Sequence, residues 1–130
     1  MDGSQANIKN DISTCVVTIV TTVISKPTNQ RVIANAGAKV ITMQKRQYAI
    51  TKNLGLGKVL EYDSVYIDYM FDGHTTFNNK VFSSKVDIGN NIRVIPNHIC
   101  PLTNLYDLVY LINKEKVIDK INISCRGKLQ

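Results

Sequence analysis

The sequence has no Cys-x-x-Cys pair, and its three cysteines (Cys15, Cys100 and Cys125) are an odd number. A disulfide framework is therefore not expected, and a reducing, cytoplasmic setting is. The polar opening, residues 1–11, has no apolar core, so no secretory signal is expected there. The most apolar run, residues 15–24, holds three threonines and is too short to cross a bilayer. Positive charge is not clustered. Sixteen Lys and Arg against ten Asp and Glu give a formal net charge of +6, yet no basic run exceeds Lys45-Arg46. Phosphate binding needs clustered charge, and single-strand binding needs aromatics interleaved on a basic strand. Neither pattern is present, so the charge reads as a solvated surface, with no nucleic-acid partner and no membrane. There is no internal repeat and no low-complexity stretch.

β-branched side chains are abundant. Thirteen valines, sixteen isoleucines and ten threonines are found among 130 residues. Such side chains suit pleated, half-buried surfaces better than helices. Turn signals divide the chain at Lys26-Pro27-Thr28-Asn29, Asn35-Ala36-Gly37, Gly73, Asn78-Asn79, Gly89-Asn90-Asn91 and Asn113 to Lys116. Strands are expected over residues 14–25, 31–34, 38–43, 65–72, 81–88, 92–95, 106–112 and 117–124, the last two as a hairpin. In residues 65–72, Val65, Ile67, Tyr69 and Phe71 alternate with Tyr66, Asp68, Met70 and Asp72, the period of two expected of a strand. Residues 48–57 read as loop. The expectation is an all-β domain, an antiparallel barrel or sandwich of about eight short strands with little helix. Residues 1–13 read as a linker or the tail of a missing barrel, and residues 14–130 as the domain.

The most unusual segment is Pro96-Asn97-His98-Ile99-Cys100-Pro101. In an extended segment, residues i and i+2 point to the same side, which would let His98 and Cys100 hold one ion. Imidazole nitrogen and thiolate sulfur suit zinc, and two protein ligands leave positions open for water or substrate. The alternative is a hydrogen-bonded histidine beside a cysteine buried as a small hydrophobe. Asn104 and Asp107 fit either as groups orienting His98 or as partners of local backbone.

The order of several segments resembles the C-terminal domain of the D-threonine aldolase and D-serine dehydratase family. These are Thr21 to Pro27 (Thr-Thr-Val-Ile-Ser-Lys-Pro), Asn35-Ala36-Gly37-Ala38-Lys39, Gly55-Leu56-Gly57, the Pro96 to Cys100 segment followed by Asn104-Leu105, and Ser124-Cys125-Arg126-Gly127-Lys128. The resemblance implies a metal held by His98 and Cys100, zinc or another divalent ion, that contacts the β-hydroxyl of a D-3-hydroxy amino acid. It also implies pyridoxal phosphate, bound by an N-terminal barrel. The reaction would be D-serine dehydration or D-threonine aldol cleavage, and the cysteine tilts the choice towards zinc and dehydration. The chain departs from the family in lacking that barrel, since 130 all-β residues cannot supply eight βα units. The implied partner is a barrel subunit or a second copy, with no catalysis in isolation; a non-catalytic relict or structural module is the alternative. Lys39 has Schiff-base chemistry but belongs to the small domain. His74 stands near a family histidine whose acidic neighbours are absent here, and reads as a solvated loop residue before a functional one. Cys15 reads as core, Cys125 as a third thiolate or an inert thiol, Tyr106 and Tyr110 as packing, and Arg126 as a substrate-carboxylate partner or a solvated terminal residue.

Overall fold

The computed structural model describes residues 11–45, 54–114, 116–124 and 126–128. Cys125, residues 48–53 of the expected loop and the first ten residues of the expected linker lie outside the described residues. The described chain opens with a short 3-10 turn, Ile12–Thr14, in which Asp11 accepts a hydrogen bond from Ser13 N. Eight strands follow: β1 Ile19–Ser25, β2 Arg31–Ala34, β3 Gly57–Val59, β4 Tyr69–Met70, β5 Thr75–Asn78, β6 Asn91–Pro96, β7 Leu108–Asn113 and β8 Lys116–Asn122. Two short helices, α1 Lys80–Lys85 and α2 Ile99–Thr103, complete the described elements. The fold is mostly antiparallel β, as the abundance of β-branched residues leads one to expect.

Six strands form one sheet in the order β3-β6-β1-β2-β5-β4, with every pair antiparallel. The sheet curls. Residues 65–67 bond back onto β3 through Val59 N to Val65 O and Ile67 N to Gly57 O, both 2.9 Å, before the chain enters β4 at the opposite edge. The two edges are thereby joined through one segment, which leaves fewer unpaired edge groups. The inward face carries the core: Ile19 and Val23 from β1, Val32 and Ala34 from β2, Val59, Phe77 and Val94, with Phe82 of α1 and Leu102 of α2. Phe82 meets Phe77 and Tyr62 edge-to-face, at centroid distances of 5.5 and 5.0 Å. Aromatic pairs favour that geometry.

Four expected strands are corrected. Residues 14–18 precede β1 instead of belonging to it, and Cys15 is only half-buried, not core. Residues 38–43 are a turn and an irregular exit, because Val40 N and Ile41 N both bond to Gly37 O. Gly37 lies so close to the carbonyls of Phe71 and Asp72 that any side chain there would collide with backbone. Residues 65–72 pair as a regular strand only over β4. The parity changes at Asp68: Val65 and Ile67 are buried, but so is Met70, while Tyr69 and Phe71 are exposed. Asp68 turns its carboxylate onto Asn78 N (2.6 Å) and its own N–H onto Thr76 O. Finally, residues 80–85 are helix. The Asn79 side chain accepts from Phe82 N at 2.9 Å and so caps the first turn, which outweighs the β-branched Val81.

β7 and β8 form a separate two-stranded ribbon. Along it Tyr110, Leu111, Ile112, Val117, Ile118 and Ile121 are all exposed. Ile123 N bonds to Asp107 O at the base of the ribbon. No helix among the described residues is long and apolar enough to cross a membrane.

Candidate metal centre

β6 positions the segment singled out in the sequence. Its last residues, Val94, Ile95 and Pro96, are buried in succession, and Asn97 after them is 5% exposed. A buried amide must find partners. The Asn97 side-chain nitrogen donates to the carbonyl of Gln44 (3.0 Å) and to that of Gly55 (2.8 Å). It thus ties two separate loops beneath the next residue. Gly55 has no room for a side chain, since a Cβ would lie 2.6 Å from Ile67 O.

His98 stands at the mouth of this arrangement, half-buried, with extended backbone (φ −143°, ψ 122°) as the N-cap of α2. Its ring Nδ1 lies 2.5 Å from Gln44 Oε1. The chain turns helical at Ile99, so Cys100 is the second residue of a helical turn and not the far end of an extended segment. The same-side argument for an extended strand therefore does not hold in that form. His98 is the N-cap residue of that turn but makes no side-chain capping hydrogen bond to it. Pro101 occupies the first helical turn, where its missing N–H costs no intrahelical bond. The Cys100 side chain is exposed and outside any disulfide, so it is not the buried small hydrophobe of the alternative reading.

Among the described residues, no group of three or more His, Cys, Asp or Glu is placed to hold a metal ion. His98 and Cys100 supply at most two soft donors, a nitrogen and a sulfur. That donor set suits zinc with open positions.

The remaining candidates are engaged elsewhere. Asn104 Oδ1 accepts from Gly127 N (2.9 Å), and Asp107 Oδ1 accepts from Arg126 Nη1 (2.7 Å). Both fasten the closing segment to the end of α2. Lys39 is exposed on its turn and lies 3.7 Å from Asp72, with nothing around it to shelter a Schiff base. His74 stacks on Phe71 at a centroid distance of 4.7 Å. Tyr110 is exposed with Lys120 above its ring, whereas Tyr106 packs against the core and donates its hydroxyl to Val40 O (2.8 Å). Burial raises the Tyr106 pKa above the ordinary tyrosine value. Gln44 was not a sequence candidate. It lies 54 positions from His98, and no local pattern marks it.

Comparison with known proteins shows the family and the fold. Residues 16–112 match the model of the putative serine dehydratase domain. An uncharacterized protein of Mycobacterium tuberculosis is 27% identical over 116 residues, covering 86% of this chain and 84% of that protein. A D-threonine aldolase of Arthrobacter sp. is 31% identical over 109 residues, covering 84% of this chain but 26% of the aldolase. Among solved structures, a histidine-to-alanine variant of D-threo-3-hydroxyaspartate dehydratase superposes with a TM-score of 0.76 at 13% identity, over 94% of this chain and 35% of that one. A cysteine-to-alanine variant of that dehydratase, in the metal-free form, gives 0.68 at 14% identity, over 81% and 31%. The dehydratase is from Delftia sp. HT23. The chain thus spans about a third of the solved enzyme it resembles.

Proposed function

This chain belongs to the putative serine dehydratase domain family, and we propose that it is the metal-carrying C-terminal domain of a lyase acting on D-3-hydroxy amino acids. His98 and Cys100 are the protein ligands, to zinc or another divalent ion. The observation that carries the reading is the pair itself: an exposed thiol separated by one residue from a half-buried histidine whose Nδ1 is already engaged. In the dehydratase, the altered histidine and cysteine are likewise separated by one residue, and the cysteine variant was solved in its metal-free form.

A divalent ion there supplies Lewis acidity towards a substrate hydroxyl. What this chain contributes is position. β6 and Asn97 hold the backbone of His98, and α2 sets the thiol in its first turn. The open face of the site is where the hydroxyl of D-serine or D-threonine would approach. Pyridoxal phosphate, which the family resemblance implies, would be carried by a barrel domain outside these residues. The exposed apolar side chains of the β7–β8 ribbon offer such a partner a surface to cover. An exposed thiol such as Cys100 suits the cytoplasm.

The test is lyase activity of the chain together with whatever barrel protein co-purifies with it, assayed on D-serine and D-threonine beside Cys100→Ser. Turnover that needs both chains and falls with Cys100→Ser supports the reading. A folded chain that binds no metal and adds nothing to a barrel enzyme would make it a structural module instead.

A further inference from the structure

We infer that Gln44 is a positioning residue for His98, one that sets which ring nitrogen is offered to the ligand; the inference rests on the metal-site reading above. The reasoning starts from Asn97. Both acceptors of its side-chain nitrogen are backbone carbonyls, Gln44 O and Gly55 O, and a carbonyl can only accept. The orientation of that amide is thereby set without ambiguity. It fixes the backbone of Gln44 directly beside the histidine that follows Asn97. From this anchored position the side chain returns to the ring, placing Oε1 2.5 Å from His98 Nδ1.

With its oxygen facing the ring, as here, the Gln44 amide can only accept, and the contact is then a hydrogen bond only when the proton sits on Nδ1. A neutral imidazole with its proton on Nδ1 carries its lone pair on Nε2. Turning the Gln44 amide over would reverse this. Its NH2 would donate to Nδ1, and Nε2 would carry a proton where the ion has to bind. The Gln44 oxygen therefore does for His98 what carboxylates and backbone carbonyls do for other metal-bound histidines: it holds the ring, fixes the tautomer and raises the basicity of the ligand nitrogen. The three-part arrangement of Gln44, Asn97 and Gly55 joins residues 42 to 54 positions apart.

Two readouts separate this role from a merely structural one. In chelator-treated protein at a pH where histidine is neutral, long-range proton–nitrogen correlation spectra report the tautomer of His98, with His74→Gln used to assign the two rings. The expected result is an Nδ1–H ring in the wild type that loses this preference in Gln44→Leu and keeps it in Gln44→Glu. Zinc affinity, measured by competition with a chromophoric chelator, should fall about 10- to 100-fold in Gln44→Leu and recover in Gln44→Glu. An Nε2–H ring in the wild type, or a tautomer indifferent to Gln44→Leu in folded protein, overturns the inference. Absence of zinc binding by the wild type, with the Gln44-dependent Nδ1–H tautomer intact, would instead overturn the metal reading and leave Gln44 as the group that orients the ring.

Discussion

Replacing Asn97 by alanine should destabilise the domain far more than the loss of one surface amide would. The side chain is 5% exposed and donates to two carbonyls, of which the Gly55 contact is fully buried and the Gln44 contact partly so. A buried acceptor left without a donor costs about 1–3 kcal/mol, and a partly exposed one regains water and costs towards the lower end. The expected loss is therefore about 2–4 kcal/mol. At this chain length it corresponds to a melting temperature lower by roughly 8–15 °C. Urea denaturation followed by far-UV circular dichroism measures it, with the slope m unchanged if only the native state is affected. Asn97→Asp is the informative control. It preserves shape but sets a carboxylate against two carbonyl oxygens, so it should cost at least as much as alanine. An Asn97→Ala variant within about 0.5 kcal/mol of wild type, the range of an ordinary surface substitution, would refute the claim that this amide holds the two loops beneath His98.

Two further outcomes follow from the same structure. Asn79→Ala removes the side-chain acceptor for Phe82 N and should cost about 1 kcal/mol, as loss of an N-cap does, whereas Asn79→Ser should recover most of it; thermal melts compare the two. Tyr106 has a folded-state pKa raised by burial, so its contribution to stability is fully present below the unfolded tyrosine pKa of about 10 and is lost as the pH rises through the folded value. Wild type should therefore lose stability in alkali more steeply than Tyr106→Phe, and identical profiles for the two would contradict the assignment.

The fold class was legible because composition reports it. β-branched residues and turn signals recur along the chain, and the β7–β8 hairpin and β2 stand where local pattern puts them. The misreadings have physical causes, some local and some from residues distant in sequence. Val81 sits in a helix because Asn79 caps it and because Phe82 is drawn into the core between Phe77 and Tyr62. The alternation of residues 65–72 loses its parity because Asp68 bonds to Asn78 and Thr76 on a neighbouring strand. The turn after β2 depends on Gly37 lying against the carbonyls of Phe71 and Asp72. In the candidate site, the proposed pair His98 and Cys100 could be picked out from sequence because both lie in one short segment. Their setting was not. The helical turn at Ile99, the tethering of Asn104 and Asp107 to the closing segment, and the contact of Gln44 with His98 all depend on tertiary structure.

The most direct test of the central claim is the metal content of purified protein by elemental analysis, with wild type beside His98→Ala and Cys100→Ser after equal exposure to zinc. Near-stoichiometric metal in the wild type and little in either folded variant is the predicted result. Equal metal in all three, or none in the wild type, would contradict the assignment of these two residues as its ligands.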